Sequence, residues 1–215
     1  MKLEFHYTTT TCSLASHIGL EESGAPFDAH FVKLHKEEGR AAYRTLVPSG
    51  KVPALIVDGE VLTENVAILS FLARAYPQSG LLPGDPLAAA QCVSMMSWFA
   101  SSLHIDRRQA RVPSRFTTTE AAHPALAADG AARFLAGLRR LDSMLRGKTW
   151  LIGERFSAAD GYALVFWAWA VADGQPIETM PHFAAHAARL IERPSVQRAL
   201  ARERHPLRQG RVSDT

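Results

Sequence analysis

Residues 50–65 constrain the fold of this chain more than any other segment. Positions 54–57 form a short apolar run rich in β-forming residues, and Asp58-Gly59 is a strong signal for the turn of a β-hairpin. Val61 and Leu62 return as a second strand, and the apolar residues within 66–72 then recur at the period of a helix. The segment therefore predicts two antiparallel strands followed directly by a helix.

Groups at the two ends of this hairpin could bind a peptide. Pro53 cannot donate to a strand ladder, so it should begin or edge a strand, and a cis bond before it would turn the Val52 backbone towards a ligand. The Val52 N–H and C=O could then pair with an extended peptide, while Glu64 and Asn65 could hold an amine and a carboxylate. The alternative is an ordinary hairpin followed by a helix cap, which the spacing alone favours.

The order of the segments predicts two domains. Up to residue 77 the order is β-α-β-α-β-β-α, typical of a thioredoxin-like domain in which the helix-linked strands are parallel. Residues 78–86 are rich in Pro and Gly, and every long segment after them has a helical pattern. We therefore predict an α/β thioredoxin-like domain at 1–77, a linker at 78–86 and an all-α domain at 87–215. The tail from His205 is expected to be mobile.

Composition limits the partners and the compartment. A net charge of +3 without aromatic residues among the basic ones gives no reason to expect nucleic acid. Cys12 and Cys92 lie far apart, which favours a reducing compartment over a disulfide scaffold. No apolar run reaches the roughly 20 residues that span a bilayer, and the N-terminus lacks the apolar core of a signal peptide. We expect a cytoplasmic protein without membrane partners, and no His or Cys pair has a spacing that predicts a metal site.

Cys12 is the first candidate for chemistry. It follows a run of four threonines and directly precedes a predicted helix, whose N-terminus would lower the pKa of a thiol. The alternative is a small buried cysteine with a structural role. Because no second cysteine follows at the C-x-x-C spacing, a dithiol oxidoreductase is not expected. Cys92 is predicted in the middle of a helix on its apolar face, so the two thiols should differ sharply in reactivity.

Three separate motifs resemble one family. Residues 11–18, Thr-Cys-Ser-Leu-Ala-Ser-His-Ile, are similar to the motif A-C-S-L-A-x-H-I of the bacterial beta-class glutathione S-transferases. The V-P-A-L, D-G and L-T-E segments within 52–64 resemble the glutathione-binding hairpin of the wider family. Phe156, Ser157 and Asp160 resemble the capping box in its second domain, where Ser and Asp side chains cap a helix. Together these motifs imply the two-domain glutathione S-transferase fold over nearly the whole chain.

The resemblance assigns roles to the hairpin residues. In the family the Val-Pro bond is cis and the residue before Pro pairs with the cysteinyl part of glutathione, a role that falls to Val52 beside Pro53. The Glu and its neighbour take the γ-glutamyl part, and these are Glu64 and Asn65, where Asn replaces the usual Ser or Gly. The glutathione-binding residues are completed by four more: Lys36, Lys51, Ser97 and Ser101.

The resemblance also assigns the catalytic residues. Cys12 would contact the glutathione sulfur and could form a mixed disulfide with it, and Ser13 would supply a neighbouring hydrogen bond. The loop before Cys12 is about two residues longer than the family's, which makes its threonines at 9–11 candidate hydroxyl donors. Ser101 to His104 resembles S/T-x-L-H, whose His faces the sulfur across the domain cleft, so His104 is the other catalytic candidate.

The positions around His104 depart from the beta class. Ser97 stands where the class usually has Asn, and Ile105 where it has Lys. Three arginines that follow could replace the lost charge or could form a solvated face: Arg107, Arg108 and Arg111. The pocket of the second substrate would be built from apolar residues such as Phe99, Phe116 and Trp167.

The resemblance implies an enzyme that joins the thiolate of glutathione to small hydrophobic electrophiles, with thiol–disulfide exchange through Cys12 as a further capability. Glutathione is the only cosubstrate implied, and no metal is expected. A glutathione-dependent reductase or isomerase stays open, as does a non-catalytic ligand-binding protein on the same fold. The family is dimeric, so a homodimer is expected, with three residues undecided between core and interface: Ile68, Phe71 and Leu72.

Overall fold

A four-stranded sheet forms the first half of the molecule, in a computed structural model that describes residues 1–209, with the backbone alone for Gln209. The strands are β1 (Leu3–Tyr7), β2 (Asp28–Phe31), β3 (Ala54–Val57) and β4 (Glu60–Thr63), in the spatial order β2-β1-β3-β4. β1 runs parallel to β2 and antiparallel to β3, and β3 pairs with β4 as a hairpin. The predicted hairpin and the predicted parallel pair are both confirmed.

Three helices complete this half. They are α1 (Ser13–Ser23), α2 (Glu37–Leu46) and α3 (Asn65–Ala75), so the predicted order β-α-β-α-β-β-α is confirmed. α1 ends at Gly24, whose φ of 70° lies in the left-handed region that glycine adopts at little cost. The bond between Val52 and Pro53 is cis.

The second half is helical, as predicted. Its helices are α4 (Pro86–Trp98), α5 (His104–Arg111), α6 (His123–Leu145), α7 (Ala158–Ala172), α8 (Pro181–Ile191) and α9 (Pro194–Glu203). A π-helical turn, Phe99–Leu103, joins α4 to α5, so the single helix predicted from 87 to about 111 contains an irregular segment. The predicted linker falls between the end of α3 and the start of α4, while the bounds 1–77, 78–86 and 87–215 stay a prediction.

The expected mobility of the tail is wrong for its first residues. His205 and Leu207 are buried, and Pro206–Gln209 forms a 3-10 turn. The imidazole of His205 accepts a hydrogen bond from the Leu207 N–H, which folds the chain back after α9. Residues 210–215, which include Arg211, lie outside the described part of the chain.

Alternation along β1 gives the sheet two unlike faces. Leu3, Phe5 and Tyr7 point to the side that is covered by α1, and we call this side the sealed face. Glu4 and His6 point to the other side, which carries α2, and we call it the open face. The sealed face is closed further because α1 packs against α7 and α9 of the second half.

The predicted capping box is present, and its Asp side chain joins the start of α7 to the loop before it. Asp160 is fully buried and accepts hydrogen bonds from the backbone N–H groups of Ser157 and Leu151, each at 2.8 Å. Gly161 follows, and a Cβ there would lie 3.0 Å from Ile18 Cγ2, so the absent side chain lets α7 approach α1 closely. The capping residues therefore position α7 at the domain interface.

Two further expectations concern the helices. Ile68 and Leu72 are fully buried in the core, whereas Phe71 stays partly exposed, so only Phe71 of the three is left for an interface. Among the helices described above, none is both long enough and apolar enough to cross a membrane.

Candidate functional site

Cys12 lies at the junction of the two halves, directly before α1. Its Sγ is 3.6 Å from the carbonyl oxygen of Val52, which accepts a hydrogen bond from the thiol. Val52 itself precedes β3 and is partly exposed, while Pro53 is buried. The structure therefore brings together Cys12 and the backbone of Val52, which the sequence separates by 40 positions.

The expectation of a lowered pKa for Cys12 is wrong. Burial raises the pKa of this thiol to about 11, while a hydrogen bond from Asn65 and the charge of Arg108 lower it only in part. Only 9% of the residue is exposed, and its side chain makes no capping hydrogen bond to the N-terminus of α1. The thiolate is therefore disfavoured by desolvation more than the helix end favours it, and Cys12 is a neutral thiol near pH 7.

Asn65 is turned inward beneath Cys12. It is 5% exposed, and its Oδ1 accepts a hydrogen bond from the hydroxyl of Ser16 at 2.7 Å. Because the carbonyl side of the amide is held by Ser16, the NH₂ group is left to donate to the Cys12 sulfur and to the hydroxyl of Tyr162. This orientation does not fit the predicted contact of the Asn65 side chain with the γ-glutamyl group, for which only its backbone N–H remains.

Glu64 has an unusual backbone at the start of α3. Its φ of 69° and ψ of 126° lie outside the regions that residues other than glycine usually adopt, at a cost of roughly 1–3 kcal/mol. Its side chain is exposed, and its negative charge is close enough to raise the pKa of Cys12. The exposed carboxylate of Glu64 therefore lies near the buried Cys12 thiol, and we call the surroundings of this thiol the cleft.

Ser13 and the threonines before it are used by their own loop. Ser13 is fully buried, and its Oγ lies 2.8 Å from the Thr11 hydroxyl and 3.1 Å from the Thr8 carbonyl oxygen. Thr9 and Thr10 donate their hydroxyl protons to backbone carbonyl oxygens of Glu203 and Thr9. The prediction that Ser13 or the extra threonines offer free hydroxyl donors to a ligand is therefore not supported.

His104 faces the same loop from the second half. Its ring packs edge-on against Trp169 at 4.9 Å, and Trp169 donates its indole N–H to the Thr10 carbonyl oxygen at 3.0 Å. Burial lowers the pKa of His104 to about 4, with further lowering by Arg108, Arg107 and Lys51. His104 is therefore a neutral imidazole near pH 7 and supplies no positive charge.

The three arginines of α5 divide into two groups. Arg107 forms a bidentate ion pair with Asp173, at 2.6 and 2.9 Å, and lies over the Trp169 ring. Arg111 is 3.8 Å from the same carboxylate. Arg108 has no ion pair among residues 1–208 and acts instead on Cys12, whose thiolate its charge favours. Arg108 is thus the cation of the cleft.

The remaining predicted contacts lie further out. Lys36 and Lys51 are exposed, Lys36 directly before α2 and Lys51 close enough to His104 to influence its pKa. Ser97 and Ser101 are exposed and donate their hydroxyl protons to helix carbonyls four residues back, at 2.8 Å each. No side-chain hydrogen bond within residues 1–208 joins either serine to the residues around Cys12, and their contact with glutathione stays a prediction.

The predicted apolar pocket is mostly wrong. Phe99 is fully buried against Tyr162 and Phe166, and Trp167 is buried against Phe183, so both belong to the core. Phe116 alone of the three is exposed, at 41%. Of these three residues, only Phe116, which follows α5, is left with apolar surface for a second substrate.

Sequence reasoning missed Tyr162 and left Arg108 undecided. Tyr162 lies just after the first turn of α7, at the start of an apolar run, 162–172, that predicted a buried core helix. Burial raises the pKa of its hydroxyl, which stays protonated and shares Asn65 with Cys12. That run predicts burial, but it gives no sign that the hydroxyl of Tyr162 meets Asn65 beside Cys12.

Comparisons with known proteins agree with this architecture. Residues 11–75 match the N-terminal domain of glutathione S-transferases, and residues 115–202 match their C-terminal domain. The chain is 35% identical over 205 residues to the glutathione S-transferase GstA of Escherichia coli O157:H7, covering 94% of this chain and 98% of that protein.

The chain also resembles glutathione S-transferases whose structures have been solved. A sphingomonad glutathione S-transferase complexed with glutathione has a TM-score of 0.82 and 36% identity, over 93% of this chain and 98% of that one. The bacterial beta-class enzyme of Sphingomonas chungbukensis has a TM-score of 0.82 and 35% identity over the same shares. The chain belongs to the glutathione S-transferase family, and the predictions of family, fold and enzyme class are confirmed.

Proposed function

We propose that the protein joins glutathione to small hydrophobic electrophiles, with Cys12 acting as a neutral hydrogen-bond donor to the glutathione sulfur. The observation that carries this proposal is the burial of the Cys12 thiol between the Val52 carbonyl and Asn65, which keeps the thiol protonated near neutral pH. A protonated thiol is a poor nucleophile, but it can donate to an adjacent thiolate once its proton turns from the Val52 carbonyl to that sulfur. The proposal therefore favours conjugation over disulfide exchange through Cys12.

The cleft offers a partner for each part of glutathione. The Val52 backbone lies beside Cys12, so a peptide added along it places its cysteinyl sulfur next to the Cys12 thiol. Glu64 can accept from the α-amine of the γ-glutamyl group, and the Asn65 N–H at the start of α3 can donate to its carboxylate. The exposed ammonium groups of Lys36 and Lys51 suit the glycyl carboxylate.

Activation of the bound thiol follows from hydrogen bonds and charge. Arg108 contributes a positive charge that favours a thiolate at the position of Cys12 and hence at a sulfur beside it. The neutral ring of His104 can orient that sulfur but cannot supply charge. Lowering the pKa of the glutathione thiol and holding the electrophile alongside it are together sufficient for conjugation.

The electrophile is proposed to bind after α5. Val112 and Phe116 are 39% and 41% exposed, and Val112 follows Arg108 by one helical turn. An apolar molecule resting there would lie next to the sulfur that Arg108 activates. The apolar side chains of this surface suit hydrophobic substrates.

The test compares two reactions in three proteins: the wild type, Cys12→Ala and the matched control Cys92→Ala. Glutathione is supplied either with a chromogenic aryl halide, which reports conjugation, or with hydroxyethyl disulfide, which reports exchange. We expect Cys12→Ala to keep conjugation but to need a higher pH for it, because a donor to the thiolate is lost. The control should behave as the wild type.

Other outcomes identify the alternatives. Exchange that is faster than conjugation and is lost in Cys12→Ala would make the protein a glutathione-dependent reductase. Tight binding of glutathione without turnover of either substrate would make it a ligand-binding protein. Either result contradicts the proposal.

We also infer a homodimer in the cytoplasm. Phe71 stays partly exposed on α3, and Leu87 near the start of α4 is 68% exposed, which offers apolar surface for a second copy. Both cysteines are free thiols, in agreement with a reducing compartment. Light scattering at micromolar concentration should give twice the 23.5 kDa of one chain, and a monomer would contradict the inference.

A further inference from the structure

Two neighbouring strands place ligand-type side chains together on the open face of the sheet. In the parallel register of β1 and β2, Glu4 lies opposite Asp28 and His6 lies opposite His30. Because side chains alternate along a strand, all four point to the same side. None of them belongs to the glutathione cleft described above. We call Glu4, His6 and His30 the open-face cluster.

The distances within the cluster are short. The ligand atoms of its three residues all lie within 4.8 Å of one another. The two imidazole rings stack with their centroids 4.9 Å apart, and Glu4 Oε2 is 3.8 Å from His30 Nε2. Two imidazoles and a carboxylate therefore lie side by side next to the edge strand β2, although the stacked rings must turn before both can point at one ion.

His6 gives the second, independent sign of a ligand. The residue is only 9% exposed, and its Nε2 is buried without a hydrogen-bond partner among the residues that the structure describes. Buried polar nitrogen atoms are satisfied in most proteins, so one that is not needs an explanation. Because this nitrogen belongs to a residue of the open-face cluster, a bound cation is a candidate for its missing partner.

The protonation states suit a metal. Burial lowers the pKa of His6, and the neighbouring His30 lowers it further, which favours the neutral imidazole that ligates metals. The ammonium group of Lys2, 2.6 Å from Glu4, lowers the pKa of that carboxyl, which is ionised at neutral pH. Two imidazole nitrogens and one carboxylate are a donor set of Zn²⁺ and related ions, whereas Ca²⁺ and Mg²⁺ prefer oxygen ligands alone.

We propose that Glu4, His6 and His30 bind one divalent transition-metal ion of the Zn²⁺ type and thereby fasten the edge strand β2 to β1. Zn²⁺ lies about 2.1 Å from each imidazole nitrogen, so the ligands must close in, and the partly exposed side chains of Glu4 and His30 are free to rotate. The ion displaces Lys2 from Glu4. Asp28, exposed beside Glu4, or a water molecule completes the coordination.

This site is invisible to a search for ligand spacing in the sequence. Glu4 and His6 are two positions apart, but His30 comes from another strand, and only the parallel register brings it alongside. The prediction that the chain binds no metal considered only pairs that are close in sequence.

The decisive measurement is calorimetric titration of chelator-treated, tag-free protein with ZnCl₂ in the absence of glutathione, since glutathione binds zinc itself. The wild type should bind one ion per chain. His30→Gln should weaken binding at least about tenfold, as the loss of even a supporting residue at a metal site costs 10–100-fold. His30 is exposed at the sheet edge, so this variant is expected to fold normally. The matched control is His35→Gln, an exposed histidine outside the cluster.

A second readout reports the ligands directly. Co²⁺ should bind at the same site and give a visible absorption spectrum that His6→Gln and His30→Gln abolish. Zn²⁺ should also raise the melting temperature of the wild type and of His35→Gln, but not that of His30→Gln. An absence of zinc binding at millimolar concentration would overturn the proposal. Equal affinity in the wild type and His30→Gln would also overturn it, because the ion would then lie elsewhere.

Discussion

His17 and Glu203 meet on the sealed face of the sheet, whereas His6, His30 and Glu4 lie on its open face. His17 Nδ1 is 2.9 Å from Glu203 Oε1, and both side chains are fully buried. In the open-face cluster, the side chains of His30 and Glu4 are 46% and 29% exposed. Histidine and glutamate side chains therefore meet on both sides of one sheet, but they are fully buried on the sealed face and partly exposed on the open face.

Burial gives the two groups different chemistry. On the sealed face the rings of Phe5, Tyr7 and Phe27 surround His17, at 5.1, 5.1 and 5.8 Å. Burial lowers the pKa of His17 to about 3 and raises that of Glu203 to about 8, so the two form a neutral, hydrogen-bonded pair near pH 7. Such a pair joins α1 to α9 but cannot admit an ion, whereas the open face leaves its ligands room to move.

The largest difference between the faces is expected in stability. Phe5→Ala removes a fully buried ring from the sealed face and should lower the free energy of unfolding by about 3–5 kcal/mol. Glu4→Ala, one position away on the open face, removes solvent-accessible contacts with Lys2 and His30 and should change the stability of the metal-free protein little. Urea unfolding of both variants gives the two losses in the free energy of unfolding. Similar losses in the two would show that the open face is as tightly packed as the sealed one.

The next effect is a pH dependence that belongs to the sealed pair. The folded-state pKa of Glu203 is about 8 and that of an unfolded Glu is about 4.3, so the folded state holds the extra proton between these values. Stability should therefore fall as pH rises, by up to about 1.4 kcal/mol per unit, until the folded carboxyl also ionises near pH 8. Glu203→Gln keeps a hydrogen-bonding side chain but removes the proton.

Urea unfolding between pH 7 and 8 isolates this effect, because an unfolded histidine titrates near 6.5. The wild type should lose stability across this interval, and Glu203→Gln should lose less. Parallel curves for the two proteins would mean that Glu203 is ionised in the folded state, and the sealed pair would then be an ion pair.

Local patterns were enough to predict the fold. The Asp58-Gly59 turn requires a hairpin, and the Ser157 and Asp160 side chains cap a helix within three residues, so each signal and its consequence are neighbours in the chain. The helix that follows Cys12 was likewise predicted from a signal in its own residues. These elements, taken in order, left few alternatives for the architecture.

The site could be predicted only where it depends on position rather than burial. Cys12 was placed correctly at a helix N-terminus, but its pKa is set by desolvation between Val52, Asn65 and Tyr162, of which Tyr162 is 150 positions away. The inward turn of Asn65 depends on Ser16, a contact that spacing does not reveal. Burial is a property of the folded whole, so the direction of the pKa shift could not be taken from the sequence.

Cys12 lies at the edge of the sealed face, and its reactivity towards an alkylating reagent reports how strongly its thiol is buried. The pKa of Cys12 is about 11, so below pH 11 the thiolate fraction grows about tenfold for each unit by which the pH is raised. The rate of alkylation by iodoacetamide should grow with it between pH 7 and 10. Cys92 is 0% exposed and should not react in the folded protein. Peptide mapping at each pH separates the two thiols. A rate at Cys12 that levels off by pH 8 would show a low pKa and would restore Cys12 as a nucleophile.

The smallest effect concerns Arg108, whose charge favours the thiolate form of Cys12. Arg108→Gln removes a charge that favours thiolate, so the rise of kcat/KM with pH should shift to higher pH in the conjugation assay. The change should be less than about tenfold at neutral pH, because a partly exposed charge is screened by solvent and salt. Arg111→Gln is the matched control, since Arg111 lies on the same helix but faces Asp173.

Salt separates this electrostatic role from a structural one. Raising the ionic strength should narrow the gap between the wild type and Arg108→Gln, because screening weakens the interaction that only the wild type has. A gap that persists unchanged in high salt, or one of equal size in Arg111→Gln, would mean that Arg108 holds the shape of α5 rather than the charge of the cleft. Arg108 would then influence the sulfur through packing alone, and the cleft would differ from the sealed face less in its electrostatics than we infer.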